Sequence, residues 1–225
     1  MYDIAFISYQ EPSADANYAA LKARFPMAKR VHGVKGIHQA HIAAAKKCFT
    51  KMFWIVDADA QLVDTFNFDY KVDEWNLETV HVWSSINPIN NLVYGYGGIK
   101  LFPRKLTIDM DLTNTDMTTS ISNKFKAMEQ ISNITAFNTD EFSTWRSAFR
   151  ECAKLASNII DRQNVEETNT RLAAWCNATG RDQQFGDYAI QGARAGRKYG
   201  IDNQGNIEAL KKINDFEWLK EKFNE

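Results

Sequence analysis

The sequence has no excess of charge of one sign: 27 Lys and Arg face 28 Asp and Glu, for a formal net charge of -1. A chain-wide basic coat for nucleic acid is thereby excluded, and any polynucleotide contact has to come from a local basic face. Cysteine is scarce. Cys48, Cys152 and Cys176 are far apart and odd in number, which argues against a zinc-type pair or a disulfide framework and fits buried thiols in a reducing compartment. No stretch approaches the roughly 18 consecutive apolar residues of a membrane span. The opening Met1-Tyr2-Asp3-Ile4-Ala5-Phe6-Ile7 has no basic stretch ahead of a long apolar core, so a standard secretion signal is not expected either. A cytoplasmic protein without a membrane partner is the expectation.

What is present is ordinary globular material: 225 residues, 44% hydrophobic and 24% charged, enough to bury a substantial core as one domain over 1–225. The first hundred residues alternate short apolar runs with helical patterns, the signature of βαβ units around a mostly parallel sheet, hence an α/β fold. Strands are read at residues 4–8, 29–32, 52–56, 79–83 and 98–102, with Pro103 closing the last because it cannot donate to a ladder. Helices are read at 14–24, where Tyr18, Leu21 and Phe25 recur at helical spacing, and at the alanine-rich 37–48. From about 107 to 137 Ser, Thr, Asn and Asp dominate and periodicity fades, so a surface excursion is expected. The final third reads as helical, over 140–161, 166–175 and 210–223.

The apolar run Met52 to Val56 ends in Asp57-Ala58-Asp59. This places two carboxylates at the carboxyl edge of the sheet, where open α/β folds bind ligands. Hard oxygen ligands there suit Mg²⁺ or Mn²⁺ bridging a diphosphate. If the backbone stays extended, Asp57 and Asp59 project to the same side and address one ion. Lys35, in the loop Gly33-Val34-Lys35-Gly36, suits phosphate, because a mobile cation beside backbone amides grips anions; a plain solvated turn is the competing reading. Tyr94-Gly95-Tyr96-Gly97-Gly98 combines rings with glycines that let a backbone approach a ligand, and Trp83 and Asn87 are placed to line the same cleft; a glycine-rich hairpin with core aromatics is the alternative.

Further along, Arg146 and Arg150 lie one helical turn apart beside Glu151, presenting two cations and a carboxylate to a cleft or forming a surface ion-pair ladder. Arg194, Arg197 and Lys198, taken with Lys100, Arg104 and Lys105, form the basic groups best suited to a DNA backbone.

The order strand, helix, strand, helix, then Phe53-Trp54-Ile55-Val56-Asp57-Ala58-Asp59 resembles, over about residues 1–105, the nucleotide-sugar half of GT-A-fold glycosyltransferases. The resemblance implies a GT-A-like (Rossmann-like) sheet flanked by helices, with residues 106–225 supplying the acceptor side and a helical C-terminal third. It implies a UDP-sugar donor and Mn²⁺ or Mg²⁺ held through Asp57 and Asp59. It puts Ser8, Tyr9 and Glu11 against base or ribose and His32 and Lys35 at the rim of that pocket. His38 and His41 are within reach from the following helix, although capping or surface roles suit both equally. Donor-sugar and acceptor contacts fall to Trp83, Tyr96, Gly97 and Gly98, with Arg146 and Arg150 beside them. Glu151 becomes the first candidate for catalytic base, with Asp140 and Glu141 as competitors.

The chain including Val31-His32-Gly33-Val34-Lys35-Gly36-Ile37-His38-Gln39-Ala40-His41 and residues 145–151 is further similar to glycosyltransferase-like proteins of T-even-type bacteriophages. That similarity implies double-stranded DNA carrying 5-hydroxymethylcytosine as acceptor, in the host cytoplasm, with an arabinosyl-type transferase closer than the GT-B glucosyltransferases. A nucleotidyltransferase or sugar-nucleotide pyrophosphorylase would instead carry a Gly-rich phosphate loop after the first strand, where this chain has Tyr9-Gln10-Glu11-Pro12. A non-catalytic nucleotide-sugar or DNA-binding protein is the third reading.

Overall fold

A computed structural model describes residues 1–95, 97–114, 116–160 and 163–225. The chain divides into two compact units, Met1–Asn87 with Val93–Ala136, and Pro88–Leu92 with Phe137–Glu225.

The first unit holds β1 (Asp3–Ser8), α1 (Ala14–Arg24), β2 (Lys29–His32), α2 (Ile37–Lys47), β3 (Met52–Asp57), β4 (Ala60–Leu62), β5 (Val80–Ile86), β6 (Val93–Tyr94), β7 (Ile99–Pro103), α3 (Arg104–Ile108), α4 (Met117–Ile121) and β8 (Phe125–Thr135). The strands form one mixed sheet in the order β2-β1-β3-β7-β5-β8-β4, with β6 attached to β5. β1 is parallel to β2 and β3, and β5 is parallel to β8, while β7 runs antiparallel to both β3 and β5. β1, β2, β3, β5 and β8 therefore share a direction, and β4, β6 and β7 oppose it.

Alternation along β3 sorts its side chains between two cores. Met52, Trp54 and Val56 join Phe6, Leu21, Phe66, Phe68 and Trp83 on the α1 face. Phe53 and Ile55 join Val31, Ala44, Ala45 and Phe102 on the α2 face. A strand buried on both faces reads as a continuous apolar run, which is why 52–56 was recognisable from sequence.

Residues 107–137 depart from the expected surface excursion. They contain α4 and the eleven-residue β8, which pairs with both β5 and β4. The first half of β8 is largely exposed and its buried end is polar, so no apolar alternation marks it. Ser132 Oγ donates to the Ser84 carbonyl (3.2 Å), Asn133 Nδ2 donates to Thr135 Oγ1 (3.1 Å), and Thr135 Oγ1 donates to Ser85 Oγ (3.2 Å). Buried polar groups are tolerated where they satisfy one another.

The second unit is helical: α5 (Glu141–Ser157), α6 (Val165–Cys176), α7 (Gly186–Asp202), α8 (Ile207–Lys211) and α9 (Phe216–Phe223). A side chain at Gly192, Gly196 or Gly200 would overlap the carbonyl of Trp145, Phe149 or Ala153 respectively. These four-residue rows let α7 lie against α5 at backbone contact. Trp145, Phe149, Ile213 and Leu219 fill the core beside them.

Candidate functional site

The chain passes from β1 to β2 on one side and returns through α2 to β3 on the other, so the strand order reverses at β1. The crevice beyond the carboxyl ends of strands at such a reversal is the usual ligand position of an open α/β sheet. Ser8 lies opposite His32 and Ile7 opposite Asp57 in register, which brings the ends of three strands to one edge.

On the α1 side of this edge Ser8 is buried. Its Oγ shares a 3.0 Å hydrogen bond with His32 Nδ1 and accepts one from Arg30 Nε at 2.9 Å. Arg30 also pairs with Asp15 at 2.6 Å, and its guanidinium lies over the rings of Phe6 and Tyr18 at 5.9 and 5.4 Å. Arg30 was not among the sequence candidates; its signal was the two-residue spacing to His32, which puts both side chains on one face of β2. Glu11 accepts from the Tyr9 amide at 2.7 Å and closes the turn after β1.

On the α2 side, Asp57 forms a 2.7 Å ion pair with Lys100; the lysine side chain is 7% exposed and the aspartate 34%. Sequence reasoning assigned Lys100 to a basic surface ridge, and that assignment is corrected: a lysine inside the apolar run of β7 is buried and requires a carboxylate partner. Gly97, at φ +88, places its α-carbon over the lysine stem, where a side chain would stand 3.2 Å from Lys100 Cε. The Gly98 carbonyl accepts from the Asp57 amide at 2.9 Å, and a side chain at Gly98 would overlap the Asn133 amide. Arg104 is also removed from the ridge, since its Nε donates to the Ala45 and Cys48 carbonyls at the end of α2.

His41 is corrected as well. It is buried in α2, its Nδ1 donates to the Ile37 carbonyl at 2.7 Å, and its Nε2 has no hydrogen-bond partner among the described residues. Burial, reinforced by the Lys100 charge, depresses its pKa to about 3, so it is a neutral support under the edge rather than a ligand contact. His38 is half-buried and shares a 3.1 Å hydrogen bond with Ser120 Oγ; burial lowers its pKa. Lys35 is exposed between Gly33 and Gly36, whose φ values of +73 and +94 require glycine for the turn into α2.

The backbone does not stay extended through Asp57-Ala58-Asp59. It turns at 58–59 into β4, so the two carboxylates are set by a turn rather than by strand alternation. Asn17 Nδ2 fixes that turn by donating to the Ala58 carbonyl at 2.8 Å. Among the described residues no group of three or more His, Cys, Asp or Glu is assembled as a metal cage. The donor set is thus two carboxylates, one already shared with Lys100. That suits a hard cation arriving with its diphosphate, as Mg²⁺ uses one or two carboxylates plus phosphate oxygens and water.

Trp83 is the clearest correction. It is 1% exposed in the α1-face core, with its ring 4.5 Å from Trp54 and 5.4 Å from Tyr70, so it packs the sheet and does not line a cleft. Tyr96 lies outside the described residues.

No protein-family model matches the chain, and no curated protein is detectably similar to it in sequence. Among the described residues no helix is long and apolar enough to cross a membrane.

The candidates Asp140, Glu141, Arg146, Arg150 and Glu151 belong to the second unit. Asp140 caps α5, accepting from the Ser143 amide and hydroxyl at 2.7 Å each. Glu141 accepts from the Tyr188 hydroxyl and raises its pKa. Arg146 covers the rings of Phe142 and Phe216 at 5.8 and 5.1 Å. Arg150 donates to the Ile213 carbonyl (2.9 Å) and to Asn214 Oδ1 (3.0 Å), pinning the turn before α9. These four therefore serve the packing of their own unit. Glu151 is half-buried on α5.

Proposed function

We propose that the protein is a glycosyltransferase that moves a sugar from a UDP-sugar to an acceptor hydroxyl, with 5-hydroxymethylcytosine of double-stranded DNA as the acceptor. The observation carrying the donor half is the Asp57–Lys100 pair at the carboxyl end of β3, beside the strand where the sheet order reverses. A buried lysine is costly unless its charge is paired, and the pairing fixes the Asp57 carboxylate, 34% exposed, at the edge where a cation-bound diphosphate would sit. A divalent cation held by Asp57 and Asp59 would further neutralise the leaving diphosphate. In this reading Lys35 holds phosphate charge, and Ser8 and His32 orient the nucleoside. The acceptor rests on the resemblance alone.

The turn after β1 disfavours the pyrophosphorylase alternative. There the Glu11 carboxylate occupies the Tyr9 amide, a group that a phosphate loop would leave facing the ligand.

The test is incubation with a panel of UDP-sugars and Mn²⁺, with and without hydroxymethylated DNA, read as UDP release and mass gain on the DNA. Asp57→Asn should lower turnover about 100-fold or more, the usual loss when one preorganised electrostatic group is removed. No donor turnover with any acceptor sinks the transferase reading, and binding of UDP-sugar without turnover would favour a carrier.

A further inference from the structure

The second unit contains a feature unconnected with the sheet edge. Cys152, within α5, and Cys176, the last residue of α6, are hydrogen-bonded thiol to thiol. Cys152 is fully enclosed, and Cys176, 7% exposed, lies in the wall of a surface depression of about 480 Å³ with Arg194, Arg197 and Lys198. Arg194 Nε donates to the Cys176 carbonyl at 2.9 Å, and Arg197 hydrogen-bonds the Cys176 thiol. Lys198 is neutralised by Asp202 at 2.6 Å, so the two arginines set the local potential.

We propose that Cys176 is a peroxide-reactive thiol and Cys152 its resolving partner. The thiolate is the nucleophile, and oxidation selects thiols that are both ionised and reachable. The hydrogen bond from Cys152 and the nearby Arg197 and Arg194 bring Cys176 down to about 7, while burial drives Cys152 up. Cys48 is raised to about 12 by burial and the nearby Asp3 against the pull of Lys29 and Arg104, and serves as an internal control.

In the first step the Cys176 thiolate attacks one oxygen of a hydroperoxide; a sulfur–oxygen bond forms, the oxygen–oxygen bond breaks, and the departing alkoxide or hydroxide takes up a proton. Cys176 is oxidised to sulfenic acid and the peroxide is reduced to alcohol or water. In the second step the Cys152 sulfur attacks the Cys176 sulfur, the sulfur–oxygen bond breaks, and hydroxide leaves with the Cys152 proton as water. Two thiols and one hydroperoxide thus give one disulfide, one alcohol and one water. Closure brings the two sulfurs to the S–S length of about 2.05 Å.

The whole reduced protein is titrated with hydrogen peroxide, the remaining thiols are alkylated, and the intact mass and tryptic peptides are read. Two of the three thiols become protected as a Cys152–Cys176 peptide, reversibly with dithiothreitol, while Cys48 stays alkylable. At neutral pH the greater thiolate fraction, offset by weaker nucleophilicity, makes Cys176 about 5-fold faster than an ordinary protein thiol. Cys152→Ser leaves a dimedone-trappable sulfenic acid at Cys176, and Arg197→Gln slows the first step without loss of helicity. Equal, slow oxidation of all three thiols, or first reaction at Cys48, overturns the proposal. Direct passage of wild-type Cys176 to sulfinic acid overturns the resolving role. The wild-type peptide map decides the matter even if a variant fails to fold.

Discussion

On the α1 face of the sheet Trp54, Trp83, Phe66 and Phe68 pack ring against ring, Trp54 to Phe68 at 5.1 Å and Phe66 to Phe68 at 4.9 Å. On the α2 face the equivalent space holds Phe53, Ile55 and Phe102 but also Lys100 and His41. The two faces flank the same strands and the α1 face buries His81 beside Tyr70 and Trp83 near the start of β5, but only the α2 face buries a lysine that reaches the carboxyl edge. Aromatic pairs dominate the first face, each adding about 0.5–1.5 kcal/mol beyond its buried area. The second accepts a charge that has to be paired and a histidine that has to stay neutral. That asymmetry distinguishes residues holding the sheet from residues shaping its edge, a distinction that residue type alone does not make.

The largest effect expected from this contrast is on the α1 face. Trp83→Ala should cost about 3–5 kcal/mol of stability, measured by urea denaturation, and leave the UDP-sugar affinity of the folded fraction unchanged. A small stability loss with weakened donor binding would return Trp83 to the cleft and erase the distinction between the faces.

The α2 face should reveal itself through pH. His41 titrates at about 3 in the fold against 6.5 for a free histidine, so the unfolded chain binds the proton first as the solution is acidified. The stability from keeping His41 neutral is complete above the unfolded value and is lost as pH falls from 6.5 towards 3. The slope approaches about 1.4 kcal/mol per pH unit in that window. His81, lowered by burial on the α1 face, adds in the same direction and is common to wild type and variant. Denaturant midpoints taken from about pH 7 to about pH 5 should therefore fall more steeply for the wild type than for His41→Gln. Parallel curves would show that His41 is solvated and that the face is not closed.

What could be read from sequence followed from burial on both sides. The run 52–56 and the alternation around it located β3, α2 and the carboxylate at its end, because continuous apolar character and helical spacing are local signals. β8 escaped because its buried half is polar, with Ser132 and Thr135 bonded to Ser84 and Ser85 of β5, a pairing that exists only across strands. Lys100 and Trp83 were misassigned for one shared reason. Side-chain type suggested surface for the lysine and ligand stacking for the tryptophan, but register decides which way each points: the lysine inward to Asp57, the tryptophan to Trp54. The Asp57-Ala58-Asp59 tripeptide could be located but not shaped, since its turn is held by Asn17, forty-one residues away from Ala58.

The smallest predicted effect tests how the α2 face divides its work. Burial is the larger cause of the depressed His41 titration and the Lys100 charge the next. Lys100→Met removes the charge and keeps an apolar stem of similar reach, so the His41 ring should titrate at higher pH than in the wild type yet remain well below the 6.5 of a free histidine. NMR titration of the four histidine rings, assigned with His41→Gln, reads this directly. Recovery all the way to the free value would make the lysine, and not the closed apolar face, the cause of His41 neutrality. An unmoved titration would mean that Asp57 already screens the Lys100 ammonium from the ring.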